Sequence, residues 1–166
     1  FLQVCARLTG RDTDWLEPRP LLRAGIYWPG AGDSNLAQVR QSWQADAPVA
    51  AIVFYRALLQ AGNLKPIDAL IARLSAQGVN ALPIFCASLK DPLSAEVITD
   101  LLTQSSADVV LNTAGFAISS PGHERKSTPF DVAGCVVLQV VLSGGTAEQW
   151  RSETRGLAAR DIAMNV

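Results

Sequence analysis

Histidine, methionine and charge are scarce in this sequence, and each shortage narrows what the chain can do. Its 166 residues include one His and one Met, and charged residues make up 17%. A lone histidine falls short of a metal centre, which needs several His, Cys or carboxylate ligands drawn together. The net charge is −1 and there is no basic block, so no nucleic-acid partner and no anionic membrane surface is expected. The longest apolar runs are about seven residues, far short of a bilayer-spanning helix. Three cysteines (Cys5, Cys86, Cys135) are an odd number without CxxC spacing. They are expected to be buried, reduced thiols in a cytoplasmic protein. No G-x-x-x-x-G-K-[ST] run occurs, which removes a phosphate-binding P-loop.

What is present is a buried-strand pattern. Hydrophobic residues reach 49%, enough for one globular α/β domain with a substantial core. Val49 to Tyr55 is a continuous apolar run, the mark of a strand covered on both faces. Arg56 ends it, and Gly62-Asn63 supplies a break with room for a left-handed residue. Asn63 is positioned to cap the next helix, with Pro66 in its first turn. Leu64, Ile67, Leu70, Ile71 and Leu74 give that helix one apolar face. Gly78 stops it, and Ala81 to Cys86 reads as the next strand. This is a βαβ unit.

The remaining elements follow the same alternation. Phe1, Val4 and Leu8 suggest a short helix ended by Gly10 within a lead-in of residues 1–23, where Pro18 and Pro20 impose extended chain. Residues 24–166 read as a single α/β domain. Ala24 to Trp28 is its first strand, and Ser34 or Asp33 is expected to cap a helix through Leu36, Val39 and Trp43. Asp91 is a strong N-cap with Pro92 at the first helical position, ahead of Leu93, Val97, Ile98, Leu101 and Leu102. Asp108 to Asn112 is a fourth strand, then a polar loop runs from Thr113 to Phe130. Val136 to Val141 is a fifth strand, and Thr146 with Gln149 forms a capping box for a helix carrying Trp150. The chain opens on Phe1 rather than Met and closes in mid-pattern, as expected of a piece cut from a longer protein.

Five apolar strands alternating with helices predict a doubly wound, three-layer α/β sandwich, Rossmann- or flavodoxin-like, with mostly parallel strands. Ligands of such sheets sit beyond the carboxyl ends of the strands. Those ends here offer donors: Arg56, Asn63, Lys90, Asn112 and Ser143. Such a rim suits a carboxylate, a carboxamide or a partner surface, and spacing alone does not choose. Gly30-Ala31-Gly32 lacks the third glycine of a dinucleotide fingerprint, because Asn35 occupies its place. Ser143 lacks a nucleophile elbow, since Val141 stands where glycine is required. His123 beside Glu124 reads either as a solvated loop pair or as half a metal site whose remaining ligands come from elsewhere in a longer chain. Arg56 can act as a salt-bridge partner, a carbonyl cap or a ligand clamp.

Several stretches in order carry a resemblance. Ala24 to Gly30, Phe54 to Asn63, Ser88 to Asp91, Asn112 to Ala117 and Leu138 to Gly145 resemble the CobN-type large subunit of aerobic cobaltochelatase, a family related to the porphyrin-binding subunit of magnesium chelatase. The resemblance implies one domain from the N-terminal region of a much longer cytoplasmic protein. It implies Co²⁺ as the metal substrate, hydrogenobyrinic acid a,c-diamide as the macrocycle, and ATP hydrolysed by a partner AAA+ ATPase subunit beside a further accessory subunit. The magnesium chelatase relatives are most similar around Gly115, Phe116 and Ala117 and at Arg56. The family's metal ligands do not map onto this chain, so the fragment alone is expected to be inactive. The substrate-binding candidates are therefore Arg56, Asn63, Lys90, Asn112, Gly115, Phe116 and Ser143, with the donors Arg56, Asn63, Lys90, Asn112 and Ser143 clamping peripheral carboxylates of the macrocycle. The alternative is a non-catalytic scaffold domain that packs against other domains or subunits.

Overall fold

A computed structural model describes residues 2–13, 21–31, 34–115, 127–152, 156–159 and 161–162. A short helix α1 (Leu2–Leu8) leads in, and Gly10 follows it at φ +80°. The strands are β1 (Ala24–Ile26), β2 (Val49–Tyr55), β3 (Asn80–Cys86), β4 (Val109–Asn112) and β5 (Val136–Gln139). Between and after them run α2 (Leu36–Arg40), α3 (Arg56–Gln60), α4 (Lys65–Ala76), α5 (Pro92–Ser105), α6 (Pro129–Ala133) and α7 (Ala147–Ser152).

The strands form one sheet in the order β1-β3-β2-β4-β5. β2 lies in the middle, parallel to β3 on one side and to β4 on the other, and β5 runs parallel to β4. The four parallel strands thus read second, first, third, fourth, the flavodoxin-like order. β1 is the exception to the parallel pattern. It pairs antiparallel with β3 and stops at Ile26, two residues before its expected end, where Ile26 makes an isolated bridge to Ser34.

Both faces of the central strands are covered, which explains their unbroken apolar sequence. Ala51, Val53, Leu82 and Ile84 pack on one face with Val39 of α2, Ile98 and Leu102 of α5 and Phe130 of α6. Ile52, Phe54, Ala81 and Phe85 pack on the other with Ile67 and Ile71 of α4. Ile52, Ile67 and Ile98 are fully buried, each stabilising the fold by about 1.5–3 kcal/mol through removal of apolar area from water.

The helix ends show which local signals decide. Gly62 and Gly78 adopt φ of +65° and +71°, the left-handed geometry expected on either side of α4. Asp91 caps α5, its carboxylate accepting from the Ser94 amide at 3.1 Å and the Ser94 hydroxyl at 2.7 Å. Thr146 and Gln149 form their capping box at the start of α7. Two expected caps are displaced. Leu64, not Asn63, is the N-cap of α4 and contributes no side-chain bond; the Asn63 amide instead closes the turn after α3 by donating to the Leu58 carbonyl at 2.9 Å. Asn35, not Ser34, caps α2 in a reciprocal box with Gln38, a better N3 partner than either earlier choice allowed; Asp33 lies outside the described residues. α2 also ends at Arg40, and Trp43 packs beyond it with its indole N–H donating to the Ala81 carbonyl at 3.1 Å.

Two further differences concern the β4–β5 half. The polar loop after β4 ends before Phe130, because Thr128 and Asp131 form a capping box that starts α6. β5 is shorter than expected, ending at Gln139, and all four of its residues are exposed.

Candidate functional site

The connections reverse direction at β2. The chain leaves β2 toward β3 and leaves β4 toward β5, so the carboxyl ends of β2 and β4 flank the topological switch point. A cavity of about 280 Å³ opens there. Tyr55, Ala57 and Leu58 line it from the end of β2, Thr113 and Gly115 from the end of β4, and Leu142 and Gly144 from the segment after β5. Asp161 completes the wall. The residue is 6% exposed, and its carboxylate accepts from the Ser143 hydroxyl at 3.0 Å and the Gly144 amide at 3.1 Å. The cavity wall is mainly apolar, with Tyr55, Thr113 and Asp161 as its polar side chains, a composition suited to a mainly apolar ligand with a few polar groups.

The polar residues of this half serve the turn itself. Asn112 is buried. Its amide donates to Gln139 Oε1 at 2.8 Å and to the Ala114 carbonyl at 3.2 Å, and its Oδ1 accepts from the Ala114 amide at 3.1 Å. These bonds fold the chain back after β4 and set Gly115 at the cavity. The Thr113 hydroxyl is likewise used, donating to the Val53 carbonyl at 2.9 Å. Ser143 bridges two features: it holds Asp161, and it also lines a second cavity of about 290 Å³ with Thr146, Gln149 and Trp150.

The remaining expected residues belong to the other half of the rim. Arg56 is half-buried at the first position of α3 and donates to the carbonyls of Leu22 at 3.1 Å and Leu21 at 3.3 Å. Of its three open roles, the carbonyl cap is the one this structure displays. Lys90 is exposed in the turn between β3 and α5, where its amide donates to the Ser88 hydroxyl at 3.1 Å. Asp91 beside it is paired with Arg23 at 2.8 Å. The Ser94 hydroxyl and amide, with the Arg23 guanidinium, hold the Asp91 carboxyl below the ordinary aspartate range. Asn63 is exposed after α3. Gly115, Ser143 and Asn112 are thus drawn to the β4–β5 half, and Arg56, Asn63 and Lys90 to the β2–β3 half. Phe116, His123 and Glu124 lie outside the described residues.

Asp161 is the residue that sequence reasoning missed. It lies 18 residues from Ser143, within no local motif, so only the fold brings the two together. Two of the three cysteines are shielded as placed. Cys86 is fully buried at the end of β3, and burial, with the Asp91 charge, pushes its thiol up to about 12. Cys135 is half-buried and also raised, mainly by burial. Cys5, in contrast to the expectation for all three, is exposed, because α1 sits outside the sandwich core. Among the described residues no three His, Cys, Asp or Glu side chains come together as a metal-ligand set, and no helix is long and apolar enough to cross a membrane.

Fold and cavity define a class: a doubly wound α/β domain with a small, mainly apolar cavity at its switch point. The comparisons with known proteins narrow it. A family model described as CobN/Magnesium Chelatase matches residues 1–166, and the chain belongs to that family. It is 44% identical, over 174 aligned residues, to the aerobic cobaltochelatase subunit CobN of Sinorhizobium sp, a match covering all of this chain and 14% of that protein. It is 39% identical to the subunit of the same name from Pseudomonas aeruginosa, covering 98% of this chain and 13% of that one. Among solved structures, the catalytic subunit of cobaltochelatase from Mycobacterium tuberculosis shares the fold, with a TM-score of 0.62 at 24% identity over 98% of this chain and 13% of that chain.

Proposed function

We propose that this chain is one domain of the large subunit of an aerobic cobaltochelatase, and that its sheet rim helps to hold the tetrapyrrole during metal insertion. The observation that carries this reading is the 44% identity to a CobN subunit over the whole chain. In this reading the substrates are Co²⁺ and hydrogenobyrinic acid a,c-diamide, and a partner AAA+ ATPase subunit supplies the energy of ATP hydrolysis. The complete subunit would work in the cytoplasm with its ATPase and accessory partners.

The division of labour follows from what insertion demands. The macrocycle must lose two N–H protons and the ion must shed water, which calls for a base beside the ring and a site closed to solvent. The rim described above provides neither a metal-ligand set nor an uncommitted base. It provides an apolar cavity for the edge of a ring and, on the β2–β3 side, the cations Arg56 and Lys90 for peripheral carboxylates. Gly115, which has no side chain, would let the ring edge approach the backbone. Asn112 and Ser143 act one step back, by shaping the cavity wall. The base and the metal ligands then belong to other parts of the subunit.

The test uses the full-length polypeptide with its partner subunits and ATP. Co²⁺ insertion into hydrogenobyrinic acid a,c-diamide, followed by absorbance, is the expected activity. Insertion of Mg²⁺ into a porphyrin in its place would overturn the cobalt assignment. For the rim, Arg56→Ala is expected to weaken tetrapyrrole binding about tenfold, the worth of one charge-assisted contact. Unchanged tetrapyrrole affinity and chelation in that variant would remove the clamp.

A further inference from the structure

The sheet is covered unevenly. α4 covers β2 and β3 on one face, whereas α2, α5 and α6 lie on the opposite face. This division follows from a single crossover hand: the connection from β2 to β3 runs one way, and those from β3 to β4 and from β4 to β5 run the other. Connections of one hand that run in opposite directions must place their helices on opposite faces. Among the described residues, no crossover helix covers β4 and β5 on the α4 side, where Leu142 packs near Leu111 at the carboxyl end of β4.

That uncovered region is apolar. Register aligns Ala50, Val109 and Val136 in one row and Ile52, Leu111 and Leu138 in the next, and Ile52 belongs to the core on the α4 side. Val109 and Leu111 are only partly buried, while Val136 is 63% and Leu138 51% exposed. Among the described residues, no charged side chain lies in these two rows. Two adjacent strands make a shelf about 10 Å wide, and an α-helix with its side chains is about 10 Å across. A helix laid there would sit beside α4 at the ordinary spacing of about 8–10 Å.

We infer that this shelf is an internal docking surface, filled in the complete subunit by an amphipathic helix from another part of the same polypeptide. The occupant is assigned to the same polypeptide because the chain accounts for only 14% and 13% of the two CobN subunits that it matches. Most of the mass available to cover the shelf is then tethered to it, at an effective concentration that a separate copy does not reach. The inference requires a large-subunit setting and is independent of the metal inserted.

Carbene footprinting of the full-length polypeptide, without partner subunits, tests it. Labelling at Val136 and Leu138 is compared with labelling of the same residues in the unfolded polypeptide. A covered shelf predicts labelling of roughly a tenth or less, as for core side chains, at every protein concentration. Cross-links from β5 should then fall on one helical segment outside the 166 residues. Labelling near half the unfolded level, matching the exposure of the isolated domain, overturns the inference. So does protection that is lost on dilution, which would assign the shelf to a second copy.

Discussion

Replacing Asn112 with Ala should cost the domain about 3 kcal/mol, far more than a surface polar residue is worth. The side chain makes three hydrogen bonds at the end of β4, to the Ala114 amide, the Ala114 carbonyl and Gln139. Ala114 is itself buried, so removing Oδ1 strands its N–H away from water, at about 1–3 kcal/mol. The Ala114 carbonyl retains a 3.3 Å bond from the Gln139 amide, which limits the loss there to about 1 kcal/mol. Gln139 is exposed and can turn to solvent. The assay is urea unfolding of Asn112→Ala beside Gln139→Ala, which removes the partner and leaves Ala114 satisfied. Gln139→Ala should cost about 1 kcal/mol or less. If Asn112→Ala lies within about 1 kcal/mol of the parent, or the two variants are equal, Asn112 is not holding the turn. Its amide would then be available as the ligand donor that its position at a strand end suggests.

The other expectations are separate. Gly25→Ala should destabilise by about 1–3 kcal/mol through overpacking, since a Cβ there would lie 3.0 Å from Cζ of the buried Phe85 ring; a neutral result in thermal unfolding would mean that β1 shifts freely. Thiol labelling should find Cys5 first, Cys135 more slowly and Cys86 only on unfolding; early modification of Cys86 would contradict its place in the core. Asp91 has a folded-state pKa below its unfolded value, so its contribution is present above the ordinary aspartate range and is lost as pH falls through that range and below. Asp91→Asn should accordingly flatten the acid limb of a Tm-against-pH curve, and an unchanged limb would show that Asp91 is not linked to folding.

What the sequence makes legible is what short-range chemistry decides. The βαβ unit from Val49 to Cys86 is readable because both strands are apolar without interruption and two left-handed glycines bracket the intervening helix. Asp91-Pro92 and Thr146-x-x-Gln149 are readable for the same reason: donor and acceptor lie within one turn. The misplaced caps show the margin of that logic. Asn35 and Ser34 are adjacent, both are good cap residues, and only the reciprocal bond to Gln38 selects between them. The antiparallel β1 is not legible, because a three-residue apolar strand at the edge of the sheet carries no mark of direction.

The candidate site is harder to read than the fold, and the rim residues show why. A strand-end position says that a side chain is near the place where ligands bind, but not whether its hydrogen bonds are already made. Asn112 and Ser143 stand where ligand donors are expected, yet their donors go to Gln139, Ala114 and Asp161. Arg56 spends part of its guanidinium on the chain that leads into β1. The feature that reorganises the picture is Asp161, whose partner lies 18 residues away and whose place in the wall depends on the segment after β5 folding back across the switch point. The same limit explains β5. Its Val136-Val137-Leu138 sequence states that the strand is to be buried, and the crossovers among the described residues do not bury its α4-side face. A strand that is apolar in sequence but exposed in the fold marks an unfilled contact, and among the described residues no element fills it.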